Sequence, residues 1–280
     1  MYQRPLSLLH ATEWLARGPA LLLGGGTDVF PAHVGRAITR DVIDLTRVAE
    51  MLTIGETEQH YRLGGAVTWS RLVAAPLPRA FDALKQAARE IGSQQIQNRG
   101  TLAGNLCNAS PAADSVPPLL ALDADVELAS CRAIRHLPLE DFLIGYRKTS
   151  IAADEILSTV RVPKAAAAGC SAFVKLGSRR YLVISILMAA ARLTRSADGR
   201  IGTARVAVGS ASPVACRLTQ LESNLAGLPS HILPSAIVAR HHLSPLAPIG
   251  DGRATAAYRQ DAALHVVGQA LDQAYAAGAA

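Results

Sequence analysis

The chain has 280 residues, half of them hydrophobic and 18% charged. That is enough for one large domain or two modest ones around a real hydrophobic core, and it excludes a disordered polymer. The formal net charge is +6, but the basic residues are scattered, with Arg147-Lys148 and Arg179-Arg180 the tightest pairs, and only 4% of residues are aromatic, which excludes the block of cations and stacking rings that nucleic acid needs.

In chain order, residues 20–23 (ALLL) are an apolar run ending in three glycines and predict a buried strand entering a turn. Residues 41–45 (DVIDL) predict a second strand. Phe81, Leu84, Ala88 and Ile91 recur at helical spacing, and Gly92 follows as a stop. The stretch 93–115 is rich in Gly, Asn, Ser and Pro and reads as a long irregular segment, of the kind that carries function inside a compact domain. Residues 116–122 predict a short apolar helix, 125–130 and 155–162 predict strands, and PKAAAAGC at 163–170 reads as a linker. Beyond it, residues 171–177, 183–195 and 200–210 predict three strands, with Asp198-Gly199 as a hairpin turn between the last two. The run 183–193 also suits a buried helix, since periodicity does not decide it. Residues 216–226 and 256–276 predict helices, with Leu264, Val267, Leu271 and Tyr275 on one face of the second. The fold class is therefore α+β, its second domain a three-stranded antiparallel sheet backed by helices.

Cys107, Cys131, Cys170 and Cys216 stand far apart with no C-x-x-C and no neighbouring His, which excludes a zinc or iron–sulfur site of familiar spacing. No segment approaches the roughly 20 apolar residues of a membrane helix. No secretory signal opens the sequence, so a cytoplasmic protein with reduced thiols is expected.

Two segments bear chemistry. Leu22-Leu23-Gly24-Gly25-Gly26-Thr27-Asp28-Val29 places three glycines after a buried strand, so that several backbone N–H groups converge where an anionic phosphate can approach. An ordinary glycine turn explains the same residues. No Lys follows, so this is not an ATPase loop, and it lacks the G-x-G-x-x-G of a Rossmann site. The second segment, IGSQQIQNRGTLAGNLCNASPAADSVPPL, offers Gly100, Thr101, Gly104 and Asn105 as another close-approach loop, followed by Ser110 and Asp114. Taken alone, Asp114 reads as the cap of the helix that follows. Two such loops in one chain suit a dinucleotide, which needs contacts from separated segments.

GGGTD, followed by IQNRGTLAGNLCNASPAADSVPPLLALDADVEL, resembles the two FAD loops of the molybdenum hydroxylase flavoproteins. GYRKTSIAADEILSTVRVP, FVKLGSRRYLVISILMAAARL and RVAVGSASPVACR continue the likeness in the same order, from about residue 4 to residue 276. KLGSRRYLVIS is most similar to the xanthine dehydrogenase branch. The resemblance implies an FAD-binding domain of the vanillyl-alcohol-oxidase (PCMH) type over 1–165, with subdomains divided near 55, and a C-terminal domain of the CO dehydrogenase flavoprotein type over 171–277. It implies that Leu22 to Val29 wrap the FAD pyrophosphate, that Thr101, Ala103, Gly104 and Asn105 form a second wall with Ser110, and that Asp114 lies near the ribityl or ribose hydroxyls. Ile91 and Ile151 are implied to cover the flavin or adenine, and Lys175 to approach the flavin. Read without the likeness, both isoleucines are plain core, whereas a Lys inside an apolar strand needs a partner.

Ala103 replaces a glycine common in relatives, and Gly26 stands where some have Asn. The cysteine-rich insertion of the aromatic-thioester reductases is absent. The resemblance implies a large molybdopterin-binding subunit, a small [2Fe–2S] subunit and a dimer of heterotrimers. Electrons would pass through FAD to NAD or another acceptor, and no residue of this chain is expected to be catalytic. A related hydroxylase of N-heterocycles, aldehydes or CO, a stand-alone flavin oxidoreductase, and a scaffold that has lost FAD are the alternatives.

Overall fold

In the computed structural model, which describes residues 1–278, the apolar run before the glycines is the strand Leu21–Leu23. It pairs in parallel with Val42–Asp44, the second predicted strand, which pairs in parallel with Tyr2–Gln3. Strands this short gain little from their ladder alone and depend on what covers them. Helix Leu8–Leu15 starts at Ser7, whose hydroxyl accepts from the His10 amide. Its Ala11 and Leu15 join Ile43, Leu45, Val48 and Met51 in one buried cluster.

These elements belong to a first compact unit of residues 1–75, 93–109 and 124–163. The unit also holds a five-stranded antiparallel sheet in the order Ile54–Glu56, His60–Gly64, Ile156–Pro163, Asp125–Ala129, Ile134–Pro138. The first five residues of the middle strand are all buried, the polar Ser158 and Thr159 among them. The edge strand Ile134–Pro138 alternates exposed and half-buried residues and carries Arg135 and His136; it has no apolar run to betray it. Charges are paired across this sheet. Arg62 Nη2 lies 3.0 Å from Glu127, and Arg135 holds Glu155 with two bonds of 2.6 and 2.8 Å. Burial pushes the Glu127 carboxyl up, but hydrogen bonds from Ser158 (2.7 Å) and Arg62 outweigh it and hold the group below the usual carboxylate range.

The second compact unit comprises residues 76–92, 110–123 and 164 onward. Its sheet is an antiparallel meander of Cys170–Leu176, Leu187–Arg195, Ile201–Gly209 and Cys216–Arg217. The expected three strands are therefore four. The fourth occupies the start of the segment predicted as helix 216–226, and the helix itself is confined to Thr219–Leu225. Of the run 183–195, Leu187–Arg195 is strand and residues 183–186 lie outside it. Ala189, Ala191 and Leu193 point into one core with Val267 and Leu271 of the long helix Ala256–Ala277. Met188 and Ala190 face the opposite side with Phe173, Ala83, Ala87 and Ala121. That second side is covered by helices Asp82–Glu90 and Val116–Ala121. A strand sandwiched between helices is apolar on both faces, which is why periodicity could not separate it from a helix.

The segment 93–115 is irregular only in part, chiefly over 109–115. Ser93 and Thr101 cap two short helices, Gln94–Arg99 and Leu102–Asn108. The expected linker 163–170 is a 3-10 turn, Lys164–Ala167, and its last residue already opens the strand Cys170–Leu176.

Candidate functional site

The glycine turn leaves the strand Leu21–Leu23 and rolls into the short helix Val29–Ala32, with the Phe30 amide donating to the Gly26 carbonyl at 3.0 Å. The first amides of a helix lack intrahelical partners, so this turn presents donors at its outer side. Side chains are excluded here for specific reasons. A Cβ on Gly25 would lie 1.7 Å from the Arg99 carbonyl oxygen, and one on Gly24 would lie 2.7 Å from Thr101 Oγ1. Gly26 has φ +75°, the left-handed region that favours glycine. The two donor-rich segments, separated by about 75 residues in sequence, are thus in contact within the first unit.

Thr101 holds its own loop in shape. Its hydroxyl accepts from the Gly104 amide at 3.2 Å, and its carbonyl accepts from the Asn105 amide at 3.0 Å. The Ala103 amide donates to the Gly65 carbonyl at 2.9 Å, and Ala103 itself lies within the helix Leu102–Asn108. Alanine is at ease in that conformation, so the departure from glycine costs nothing in backbone strain. Beside the turn a cavity of about 640 Å³ is lined in part by Leu23, Gly24, Gly25, Phe30, Arg40 and Arg99. Leu22, Thr27 and Val29 are half-buried, Asp28 is exposed, and Ile151 is half-buried in the same unit.

Ile91, Ser110, Asp114 and Lys175 belong to the second unit. Ile91 is half-buried and closes the helix Asp82–Glu90. Ser110 forms a small turn, its hydroxyl accepting from the Ala112 amide at 3.3 Å. Asp114 does not cap the helix that follows; Ser115 occupies the cap position and makes no side-chain cap bond. Instead Asp114 accepts from Lys175 Nζ at 2.6 Å and from Ser185 Oγ at 2.5 Å. Lys175 also donates to the Glu90 carbonyl at 3.3 Å. Burial pushes the Asp114 carboxyl up, opposed by the Lys175 ammonium and both hydrogen bonds. Lys175 lines a second cavity of about 640 Å³ with Phe173, Gly177, Arg89, Arg179 and Arg180.

Ser185 is the residue that sequence reasoning passed over. It stands in the quoted LGSRRYLVIS, but nothing local marks it, because its partner lies 71 residues away. The available signal was indirect: a lysine in an apolar strand demands a buried acid, and a buried acid demands further donors.

The donor set suits an anionic dinucleotide. The glycine clearances bring the two loops together at one place, and among the described residues no cluster of His, Cys, Asp or Glu could hold a metal. No described helix is long and apolar enough to cross a membrane.

Comparison with known proteins agrees. Residues 1–165 match the family described as FAD binding domain in molybdopterin dehydrogenase, and residues 172–274 match the CO dehydrogenase flavoprotein C-terminal domain. The xanthine dehydrogenase FAD-binding subunit of Escherichia coli O157:H7 is 32% identical over 272 residues, 95% of this chain and 91% of that one. Among solved structures, quinoline 2-oxidoreductase from Pseudomonas putida 86 superposes with a TM-score of 0.87 at 26% identity, covering 99% of this chain and 97% of that one. A carbon monoxide dehydrogenase from Hydrogenophaga pseudoflava does so with a TM-score of 0.86 at 26% identity, covering 98% and 96%.

Proposed function

The chain belongs to the FAD-binding medium subunits of the molybdopterin hydroxylases, and we propose on that premise that it is the electron-transfer subunit of a xanthine dehydrogenase-like enzyme. Bound FAD supplies a centre that accepts electrons singly and releases them in pairs. In this reading, a large molybdopterin-binding subunit hydroxylates the substrate and a small subunit relays electrons through [2Fe–2S] clusters. The electrons leave this chain for NAD⁺ or another acceptor, within a dimer of heterotrimers. The FAD-binding domain, of the vanillyl-alcohol-oxidase type with a division near residue 55, spans 1–165, and the C-terminal domain spans 171–277.

Within this chain the residues bind and orient. The amides of Leu22 to Val29 surround the pyrophosphate, with the Thr27 hydroxyl as a further donor. Thr101, Ala103, Gly104 and Asn105 form the opposing wall, and Ser110 and Asp114 serve the polyol. Ile91 and Ile151 exclude water from ring faces, and Lys175 sets a positive charge. No side chain acts as a general base. The observation that supports this reading best is the contact of Gly25 with the Arg99 carbonyl, which seats the two donor loops together.

The likeness to quinoline 2-oxidoreductase favours a second reading, in which the holoenzyme hydroxylates another N-heterocycle. One preparation tests both. The chain is purified with its co-purifying proteins, and a visible spectrum is taken alongside metal analysis. FAD with iron and molybdenum is expected, and turnover of purines over quinoline-type heterocycles selects the first reading. FAD without metals would point to a stand-alone flavin enzyme. No flavin, even after FAD is added, would overturn both readings.

A further inference from the structure

We infer that Ser185 is a positioning residue for the cofactor, its hydroxyl holding the Asp114 carboxyl group that in turn fixes the Lys175 amino group at the edge of its cavity. The inference rests on the reading of Lys175 as a flavin neighbour. The geometry is that of a three-membered chain. Ser185 Oγ donates to Asp114 Oδ1 at 2.5 Å, and Lys175 Nζ donates to Asp114 Oδ2 at 2.6 Å. Ser185 is fully buried, and the Asp114 and Lys175 side chains are only 6% and 8% exposed.

A buried ion pair has a competitor. Transfer of one proton from ammonium to carboxylate gives a neutral pair, which desolvation favours. Hydrogen bonds donated to the carboxylate work the other way, because they stabilise its charged form. Burial pushes the Asp114 carboxyl up and the nearby Glu90 charge adds to that, while Lys175 and the hydrogen bond from Ser185 oppose it. Lys175 offsets part of its own desolvation by donating to the Glu90 carbonyl at 3.3 Å.

Ser185 is well placed to hold this role. Its carbonyl accepts from Arg253 Nη1 at 3.0 Å, and the next carbonyl, of Ile186, accepts from the buried Arg259 at 2.6 Å. The Ile186 amide donates to the Leu176 carbonyl at 2.8 Å, one residue beyond Lys175. The backbone at Ser185 is therefore pinned from several sides, and its hydroxyl has little freedom to leave Asp114. A fixed cation at the cavity edge stabilises the negative charge that reduction adds to a neighbouring cofactor, and so raises its midpoint potential.

The test uses the full chain in the complex it purifies with, as wild type, Ser185→Ala, Ser185→Thr, Lys175→Met and the Ser185→Ala/Lys175→Met double variant. The FAD content and the FAD midpoint potential are measured by spectroelectrochemical titration. Ser185→Ala is expected to retain FAD and to lower its potential, and Ser185→Thr to return it to the wild-type value. Lys175→Met is expected to lower the potential at least as far, with no added effect in the double variant. An unshifted potential in Ser185→Ala, beside a shifted one in Lys175→Met, overturns the role of Ser185. Unshifted potentials in both overturn the placement of Lys175 near the flavin. Loss of FAD from Ser185→Ala alone overturns the inference by making the serine a structural support.

Discussion

At the scale of single residues, the cofactor reading depends on atoms that are absent. Gly25→Ala would put a methyl 1.7 Å from the Arg99 carbonyl oxygen and 2.9 Å from the Gly100 Cα, so backbone must move against backbone. Forced overpacking of this kind costs about 1–3 kcal/mol. The variant is expected to fold with a lower Tm and to lose FAD, read as the ratio of flavin to protein absorbance. Gly55→Ala is its control, because a Cβ there meets nothing within 4 Å. Retention of FAD by Gly25→Ala would separate the loops from the cofactor. Thr101→Val removes the cap of the helix Leu102–Asn108, a loss of about 1 kcal/mol, and is expected to weaken FAD binding as well. Thr101→Ser keeps the oxygen and is expected to behave like wild type in an FAD titration. These residues stood out as candidates in the sequence because glycine runs and the donors beside them are visible locally. Asp114 gave no such local sign of its partner. Read alone it looked like a cap, and the lysine that claims it stands 61 residues away.

At the scale of elements, legibility followed length and one-sided burial. The 22-residue helix Ala256–Ala277 showed its face in the sequence, and the structure buries Val267 and Leu271 fully, with Leu264 and Tyr275 at the margin. Leu271→Ala is accordingly expected to cost about 2–5 kcal/mol, and Tyr275→Ala less, by chemical denaturation of the purified chain. An equal cost at both positions would mean that the helix seats on a different face. The strand Cys216–Arg217 escaped notice because two residues cannot display a period. The helices Gln94–Arg99 and Leu102–Asn108 escaped because each spans under two turns and the first has no fully buried residue. Their caps, Ser93 and Thr101, were the readable signal, outweighed by the density of Gly and Asn around them.

For the whole molecule, the two compact units interleave along the chain, and residues 76–92 and 110–123 belong with the segment from 164 onward. Local pattern carries no information about such returns, whereas the charge pattern leaves a measurable trace of them. Asp44, Glu127 and Glu155 are each held below the usual carboxylate range with help from partners in other segments, Tyr2, Arg62 and Arg135, whereas Asp198 and Asp251 are depressed mainly by near neighbours, Ser196 and Arg253. A carboxyl depressed on folding contributes stability that is fully present above its unfolded value, near 4, and is lost as pH falls toward the folded value. Asp114, pushed up by burial, contributes with the opposite sign and regains stability on acidification. Among the described residues, five depressed carboxyls against one raised one predict a Tm that falls below about pH 4. Glu127 isolates one of the five. Its partners Arg62 and Ser158 lie 65 and 31 residues away, so it reports packing rather than local structure. Glu127→Gln is expected to lower the Tm at pH 7, where the native carboxylate is charged. The deficit should shrink toward pH 3, below the ordinary carboxyl value, where protonation of the unfolded chain removes the advantage of the native carboxylate. Scanning calorimetry across that range decides the matter, and a deficit that stays constant with pH would mean that Glu127 acts through its shape and not its charge.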